Sequence, residues 1–217
     1  MLLSMKYEKK FLYGLGGVES LYYLIMMLLC LPHFVFLLFS KNRSVIMNDI
    51  SRWIVLVMKE SQGLFFDMVF LLSFYKEFRN VFYLRIGRMR SIPLRYLKQL
   101  SSLHIIMKSD DFGEGTFIQH GFSTIITADK IGKNCWINQQ VTIGYNDSKK
   151  YGYGRPIIED NVRISCGAKV LGKITVGSNS IIGVNAVVVK DVPPNSVIIP
   201  SAMRIKNIKS DIGFKDF

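Results

Sequence analysis

Residues 158–192 read IEDNVRISCGAKVLGKITVGSNSIIGVNAVVVKDV, and a bulky apolar residue recurs in this stretch at every sixth position. The same step of six runs through an earlier stretch, and an interruption separates the two. The positions in step are Ile125, Ile131, Ile137 and Ile143, then Ile158, Ile164, Val170, Val176, Ile182 and Val188. Phe112 and Ile118 form an earlier pair that is one residue out of phase. A fixed period of this kind is the sequence signature of a repeat architecture.

Two further residue types follow the same period. A glycine often stands directly after the apolar residue, and a small or β-branched residue stands four positions after it. The glycines are Gly113, Gly132, Gly144, Gly177 and Gly183, and the second set is Val141, Val162, Ala168, Ile174, Ser180, Ala186 and Val192. Six residues turn an α-helix by about 600°, which would scatter these side chains over several faces. A flat strand explains an even step but does not explain the glycines.

A prism with three flat sides explains the whole pattern. Each hexapeptide forms one short strand and one corner, with the apolar residue pointing inward and the small residue where the interior is narrow. Glycine or asparagine tolerates a left-handed corner backbone, and the asparagines are Asn134, Asn161, Asn179 and Asn185. Three hexapeptides close one coil, and the coils stack about 4.8 Å apart. The sequence therefore predicts a left-handed parallel β-helix.

The chain before residue 105 follows a different pattern. Its apolar residues recur at steps of three and four, as in Leu64, Phe65, Met68 and Leu71, which is typical of α-helices. We therefore predict an α+β protein with a helical N-terminal region at 1–104, a β-helix domain at 105–200 and a C-terminal tail at 201–217.

The sixfold register breaks once, between Gly144 and Pro156. The intervening sequence, YNDSKKYGYGRP, is polar, basic and rich in glycine and tyrosine. These residues predict a loop extruded from one corner of the prism. A loop of this size on a rigid scaffold indicates a functional element.

The net charge is +12, and the excess is larger in the N-terminal half, which favours anionic partners. Residues Leu21 to Ser40 contain no charged side chain and are about long enough to span a bilayer. Because Pro32 and His33 lie at the centre, two interpretations remain open. The segment contacts a membrane, or it is a buried helix or helix pair broken at Pro32.

The segment from Arg85 to Lys98 has five basic residues and no acidic one. It would lie on an anionic membrane surface or guide an acidic glycan, and the alternative is an ordinary exposed helix face. No recognised nucleic-acid-binding motif accompanies the charge, so we expect no nucleic-acid partner.

Three cysteines and three histidines are the candidates for reactive or metal-binding chemistry. Cys30, Cys135 and Cys166 are odd in number and spaced for neither zinc nor a disulfide framework, so we expect buried free thiols in a reducing compartment. Among the histidines, His33 lies in the apolar run and is predicted to be structural, and His104 at the join has no assigned role. His120 lies beside a predicted corner, and histidine supplies a base near neutral pH.

A family resemblance rests on two stretches of the β-helix. GTFIQHGFSTIITADKIGKNCWINQQVTIG, at 115–144, and RPIIEDNVRISCGAKVLGKITVGSNSIIGVNAVVVKDVPPNSV, at 155–197, resemble the serine acetyltransferase group of hexapeptide acyltransferases. The resemblance covers about half of the chain. Upstream, KEFRNVFYLRIG resembles the helical region of the branch that O-acetylates bacterial surface polysaccharides.

The resemblance implies acetyl transfer from acetyl-CoA to a hydroxyl group, with no metal. The family's base histidine matches His120, and a backbone N–H near the corner would stabilise the oxyanion. The family binds CoA in a groove along the coils, often between subunits of a trimer, so a homotrimer is expected. The implied cofactor contacts are Thr142 and Gly144 at the thioester, Ala168, Lys169, Val184 and Asn185 at the pantetheine arm, and Lys190 and Arg204 at the phosphates.

Three departures from the serine acetyltransferase pattern bear on the acceptor. The aspartate that orients the base is replaced by Ile105, the His-Pro after the loop by Arg155-Pro156, and the aspartate before the base by Gln119. These losses favour a glycan acceptor over serine. We therefore predict an enzyme that O-acetylates a bacterial surface polysaccharide, such as a capsule, or its precursor.

The predicted acceptor contacts are Tyr145, Lys149, Lys150 and Arg155, and the alternative for the two lysines is a solvated loop. Serine O-acetylation in cysteine synthesis is the alternative function. A non-catalytic β-helix scaffold is the lesser one, because His120 and the CGAKVLG motif are both present. The expected location is the cytoplasm, with association with the inner face of the membrane.

Overall fold

The computed structural model describes residues 17–146 and 153–200, with side chains described from Leu21 onward. The predicted contacts Lys149, Lys150 and Arg204, and the predicted tail at 201–217, lie outside these residues. Four α-helices come first, and a short 3₁₀ helix follows them. They are α1 (Gly17–Leu38), α2 (Arg43–Val57), α3 (Leu64–Phe74), α4 (Lys76–Ile86) and the 3₁₀ turn Ile92–Leu94.

Thirteen short strands follow in the described residues. They are β1 (Leu103–Ile105), β2 (Phe117–Ile118), β3 (Thr124–Ile126), β4 (Lys130–Ile131), β5 (Trp136–Ile137), β6 (Thr142–Gly144), β7 (Ile157–Ile158), β8 (Arg163–Ile164), β9 (Lys169–Leu171), β10 (Thr175–Val176), β11 (Ile181–Ile182), β12 (Val187–Val188) and β13 (Val197–Ile198). They form three parallel sheets: sheet I (β1-β3-β6-β9-β12), sheet II (β4-β7-β10) and sheet III (β2-β5-β8-β11-β13). From β2 to β12, consecutive strands pass to sheets III, I and II in turn. The predicted helical region followed by a parallel β-helix is confirmed.

The interior of the prism is filled by the predicted apolar ladder. Ile143 pairs with Val170 and Val170 with Val188, so one side chain follows another directly from coil to coil. The small or β-branched residues at the fourth position after the ladder are buried as well. This regular packing explains why the sixfold period is so strict.

One predicted ladder position is wrong. Ile125 is 42% exposed, and its neighbour Ile126 is fully buried and pairs with Ile143. The cause is a wide corner between β2 and β3, where His120 and Ser123 both adopt a left-handed backbone, with φ of 53° each. This wide corner is also the reason that Ile118 is out of phase with the ladder that follows.

The asparagines occupy corners, as predicted. Asn134, Asn161, Asn179 and Asn195 have φ between 56° and 60° and line one edge of the prism. The amide of Asn161 donates to Asn179 over 3.1 Å, and that of Asn179 donates to Asn195 over 3.0 Å. The side chains therefore stabilise the stacked corners directly.

The glycines after the ladder residues serve another purpose than predicted. None of them adopts a positive φ. A Cβ atom on Gly113 would lie 2.0 Å from the carbonyl oxygen of Gly132 in the next coil. At Gly113, Gly132, Gly177 and Gly183, close approach of neighbouring coils, and not a left-handed backbone, is what requires glycine.

Replacing Gly113 with alanine is expected to lower the free energy of unfolding by about 1–3 kcal/mol, because the backbone of the next coil must shift. Urea denaturation followed by circular dichroism measures this change. Gly144→Ala is the matched control, since a Cβ there meets nothing closer than 3.7 Å. Equal losses in both variants would contradict the steric explanation.

The helical region and the β-helix share one core. Trp53 of α2 is fully buried, lies 4.6 Å from the ring of Phe117 and donates from Nε1 to the carbonyl of Thr116 over 3.0 Å. Arg85 of α4 and Asp49 of α2 form a buried ion pair of 2.9 Å at the same junction. Arg85 is thus not part of the exposed basic segment that begins with it in the sequence.

α1 is one continuous helix, so the predicted break at Pro32 is wrong. Pro32 lies on an exposed face, where water can solvate the carbonyl that its ring leaves unpaired. His33 on the opposite face is fully buried and lies 3.2 Å from the hydroxyl of Tyr83. Burial lowers the pKa of His33 to about 4, so this histidine is neutral and structural, as predicted.

Within the described residues, one helical stretch, Leu21–Leu38, is long and apolar enough to cross a membrane, and 28% of it is buried. One face of α1 packs inside the helical region, and the other lies open.

Candidate active site

His120 lies in a corner where the chain passes from sheet III to sheet I. The edge of the prism formed by the stack of these corners is here called the His120 edge. The side chain of His120 is exposed, and its carbonyl accepts from the N–H of Phe122 over 2.6 Å in a tight turn. The left-handed backbone at His120 widens this corner by comparison with the coils beyond it. A histidine that projects from a rigid corner into solvent can accept a proton from a bound substrate.

The helical region supplies a carboxylate at the same corner. Glu77, at the start of α4, accepts from the N–H of Gly121 over 3.2 Å. A Cβ on Gly121 would lie 3.2 Å from Cγ of Glu77, so the two residues are in close packing. Ile105, where the resemblance led us to look for an orienting carboxylate, is half-buried in β1 and pairs with Ile126. Glu77 therefore places a negative charge beside the residue that follows His120.

Polar side chains continue along the His120 edge. Gln119 accepts through Oε1 from Nε1 of Trp136 over 3.2 Å, and the guanidinium of Arg163 stacks on that indole at 4.7 Å. In the next coil, Oδ1 of Asn138 and Oε1 of Gln139 are buried without a hydrogen-bond partner in the described structure. Buried acceptors without partners are uncommon in folded proteins and often mark a functional site.

Beyond the His120 edge, the outer face of sheet I carries one straight row of residues. The strand register aligns His104, Ile125, Thr142, Lys169 and Val187 across five strands. Lys169 reaches back to the His120 edge, where its Nζ donates to the carbonyl of Gln140 over 2.6 Å. Two predicted cofactor contacts, Thr142 and Lys169, therefore lie side by side on a face that is open to a ligand.

The other predicted cofactor contacts lie in several places. Val184 and Asn185 are exposed on the His120 edge, two coils beyond Gln140. Gly144 is buried at the end of β6, and Lys190 is exposed beyond the end of β12. Ala168 is fully buried inside the prism, and its carbonyl and N–H are both engaged in backbone hydrogen bonds. A ligand on the outer face cannot contact the Ala168 side chain, because a β-helix coil points that position inward.

The extruded loop leaves the prism at the opposite end of sheet I. Its base is closed by an antiparallel bridge between Asn146 and Gly154, with N···O distances of 3.1 Å and 3.3 Å. Tyr145 and Arg155 are exposed on either side of this bridge. The width of sheet I, about 10 Å for a three-residue strand, separates them from His120 within one chain. The structure therefore does not bring the predicted acceptor residues to the base.

Sequence reasoning missed Glu77, Asn138 and Gln139. Glu77 lies 43 positions before His120, in a stretch that reads as an ordinary helix. Asn138 and Gln139 look like corner residues of the repeat, and only the absence of partners in the packed coil distinguishes them. The one available signal was the run of three polar residues at 138–140, where the other corners of the His120 edge have runs of one or two.

Comparison with known proteins adds sequence relatives and solved structures to this geometry. No family model matches the chain. The serine acetyltransferase of Bacillus licheniformis is 40% identical over 110 residues, which are 48% of this chain and 50% of that protein. That of Synechococcus elongatus is 37% identical over 115 residues, or 52% of this chain and 47% of that protein. The chain thus spans about half the length of the curated relatives it matches.

Solved structures of serine acetyltransferases share the fold. The enzyme of Brucella abortus is 28% identical, with a TM-score of 0.52 over 71% of this chain and 64% of that one. The enzyme of Neisseria gonorrhoeae in complex with serine is 23% identical, with a TM-score of 0.55 over 74% of this chain and 67% of that one. Because its identity is only 23%, the likeness to the Neisseria gonorrhoeae enzyme shows the fold alone.

The repeat, the three-sided prism and these matches point to one class: the β-helix half is similar to the hexapeptide-repeat acetyltransferases. Within that family, the matched relatives are serine acetyltransferases. The predicted polysaccharide acceptor is wrong, because the comparisons point to that other branch. The prediction rested on the departures at Ile105, Gln119 and Arg155, and these departures do not exclude serine as the acceptor.

Proposed function

We propose that this protein is an acetyl-CoA-dependent O-acetyltransferase that acts on serine. The observation that carries the proposal is the exposed His120 on a coil edge, in the half of the chain that matches serine acetyltransferases. Acetyl-CoA is the co-substrate, and no group of metal-binding side chains occurs among the described residues. Because acetyl-CoA is a cytoplasmic metabolite, the enzyme acts in the cytoplasm.

The reaction is an acyl transfer in two steps. His120 removes the proton from the serine hydroxyl as that oxygen attacks the thioester carbonyl carbon. The resulting oxyanion is stabilised by a backbone N–H, and it collapses with cleavage of the carbon–sulfur bond. The imidazolium returns its proton to the departing thiolate. The products are O-acetylserine and CoA.

Glu77 suits serine as the acceptor. An ammonium group has three donors and no acceptor, so it binds favourably where carboxylate oxygens are available. Glu77 provides such oxygens beside Gly121, next to the base. We assign to Glu77 the binding of the serine ammonium, and to Thr142 and Lys169 contacts with the cofactor on the outer face of sheet I.

A homotrimer completes the proposed site. Tyr145 and Arg155 lie at the loop end of sheet I, away from His120 of their own chain. Within each copy, the loop end and the His120 edge lie on opposite sides of sheet I. A neighbouring copy can therefore present its loop end to the His120 edge of the first copy. The loop of one subunit then borders the reaction centre of the next.

Purified full-length protein is expected to release CoA from acetyl-CoA in the presence of L-serine, as measured by the appearance of free thiol. L-Alanine is the matched control, since it keeps the ammonium and carboxylate groups but has no hydroxyl. Thiol release that is equal with L-alanine would sink the proposal.

Glu77→Gln is expected to raise KM for serine about tenfold with little change in KM for acetyl-CoA, because it removes a charge that binds only the acceptor.

A further inference from the structure

α1 carries an exposed apolar surface that no described part of the protein covers. Its outer face, here called the α1 outer face, consists of Leu21, Leu24, Ile25, Leu28, Leu31, Val35 and Leu38, with exposures from 36% to 60%. Phe39, directly after the helix, is 83% exposed. This apolar surface follows a helix of 22 residues, about 33 Å long, and a contiguous exposed apolar patch marks an interaction site.

The opposite face of α1 is fixed to the protein along its whole length. Tyr23, Met26, Cys30, His33 and Leu37 are all buried, at steps of three and four. α1 therefore has protein on one side and an open apolar surface on the other. A helix that lies in the plane of a membrane surface has this arrangement, with one face towards the protein and the other towards the lipid. A helix that crosses a bilayer alone does not.

A basic strip borders the α1 outer face. The segment 87–98 packs on α1, where Tyr96 donates to the carbonyl of Leu29 over 2.5 Å. A groove of about 380 Å³ lies between the two, lined by Val35, Phe36, Phe39, Ser40, Ile86 and Arg90. The exposed basic residues of the strip are Arg88, Arg90, Arg95 and Lys98, and Lys41 and Arg43 are exposed beyond the C-terminal end of α1.

Charge and apolar exposure are combined on this strip. Met89 is 75% exposed and Ile92 is 55% exposed between the arginines. Neither 21–48 nor 87–98 contains an aspartate or a glutamate. A basic surface without acidic residues, interleaved with exposed apolar side chains, is complementary to anionic lipid headgroups above an acyl layer.

We propose that the α1 outer face and the basic strip dock this protein on an anionic lipid bilayer. α1 lies in the plane of the membrane surface, with its leucines in the outer part of the acyl layer. The groove beside Arg90 receives apolar chain while the guanidinium meets a headgroup phosphate. A second copy of the chain is a poorer occupant, because pairing two such surfaces would bring the basic strips together without counter-charge.

Vesicle co-sedimentation of the full chain tests this proposal. The protein is expected to sediment with vesicles of phosphatidylcholine and phosphatidylglycerol, and to bind about tenfold less to phosphatidylcholine alone. Binding should weaken as salt is raised, since the headgroup attraction is screened within about a Debye length. No binding to the anionic vesicles at low salt would overturn the proposal.

Leu28→Glu and Val55→Glu are a matched pair of variants. Both residues are exposed apolar side chains on helices, at 60% and 53%, but Val55 lies on α2 outside the α1 outer face. We expect Leu28→Glu to reduce binding about tenfold and Val55→Glu to leave it unchanged. Circular dichroism checks that both remain folded.

Two further outcomes would contradict the proposal. Equal loss of vesicle binding in both variants would show that the α1 outer face is not the contact. A lipid-free association between copies that Leu28→Glu abolishes would show that the surface is an interface between subunits. Vesicle binding is measured without substrates, so its failure is separate from a failure of the proposed acetyl transfer.

Discussion

Replacement of His120 with alanine is expected to lower kcat for acetyl transfer to serine by about a thousandfold. The variant removes the imidazole to which we assign removal of the hydroxyl proton, and no other described residue of that corner carries an imidazole. KM for acetyl-CoA should change little, because His120 lies at the corner and not on the row formed by Thr142 and Lys169. Steady-state thiol release at saturating acetyl-CoA measures both parameters.

His104→Ala is the variant that tests whether His104, and not His120, is the catalytic base. His104 is also exposed, and it lies in β1 on the outer row of sheet I. We expect this variant to keep most of the activity, because the family's base position matches His120. A large loss in His104→Ala together with an active His120→Ala would place the base on β1 and contradict the assignment.

Replacement of Arg85 with methionine is expected to lower the free energy of unfolding by about 3–5 kcal/mol. Arg85 donates to Asp49 over 2.9 Å, and its other nitrogens donate to the carbonyls of Ser109, Phe112 and Gly113. Both members of the ion pair are almost completely buried. The substitution therefore leaves the buried Asp49 carboxylate without its cation and removes one hydrogen bond from each of three carbonyls. Denaturant titration at neutral pH measures the loss.

The loss of unfolding free energy in Arg85→Met should depend on pH in a defined direction. Burial raises the pKa of Asp49, and Arg85 acts against that rise. Without Arg85 the folded pKa lies above the unfolded value of about 3.9, so folding favours the protonated acid. The Arg85→Met variant should be least impaired below pH 4 and should lose stability as the pH rises through the raised pKa.

Two variants serve as controls for the buried pair. Lys133→Met breaks the exposed pair with Glu114 and is expected to leave the denaturation midpoint unchanged, because solvent already surrounds that lysine. Arg85→Met combined with Asp49→Leu should recover part of the loss, since no charge remains buried. If Lys133→Met and Arg85→Met were equally destabilising, the burial argument would fail.

Part of the candidate site was predictable from the sequence. His120 was identifiable because the apolar ladder locates every corner, and a histidine two residues after Ile118 must lie near one. Thr142 and Lys169 were implied by the family resemblance, and the structure places both on the outer face of sheet I. The inward direction of the Ala168 side chain was not predictable, because a resemblance gives a position in a motif but not the direction of its side chain.

The sequence by itself determined the β-helix, because a coil of three hexapeptides requires an apolar residue at a fixed period and this chain has one. It also located the loop, since the one long interruption of the period falls at 145–156. Only the tertiary structure decided the inward residue of the first coil, Ile126, because a corner with two left-handed residues resets the count. Only the tertiary structure brought Glu77 to Gly121 and Arg85 to Asp49, since no local pattern records which distant residues a packed core places in contact.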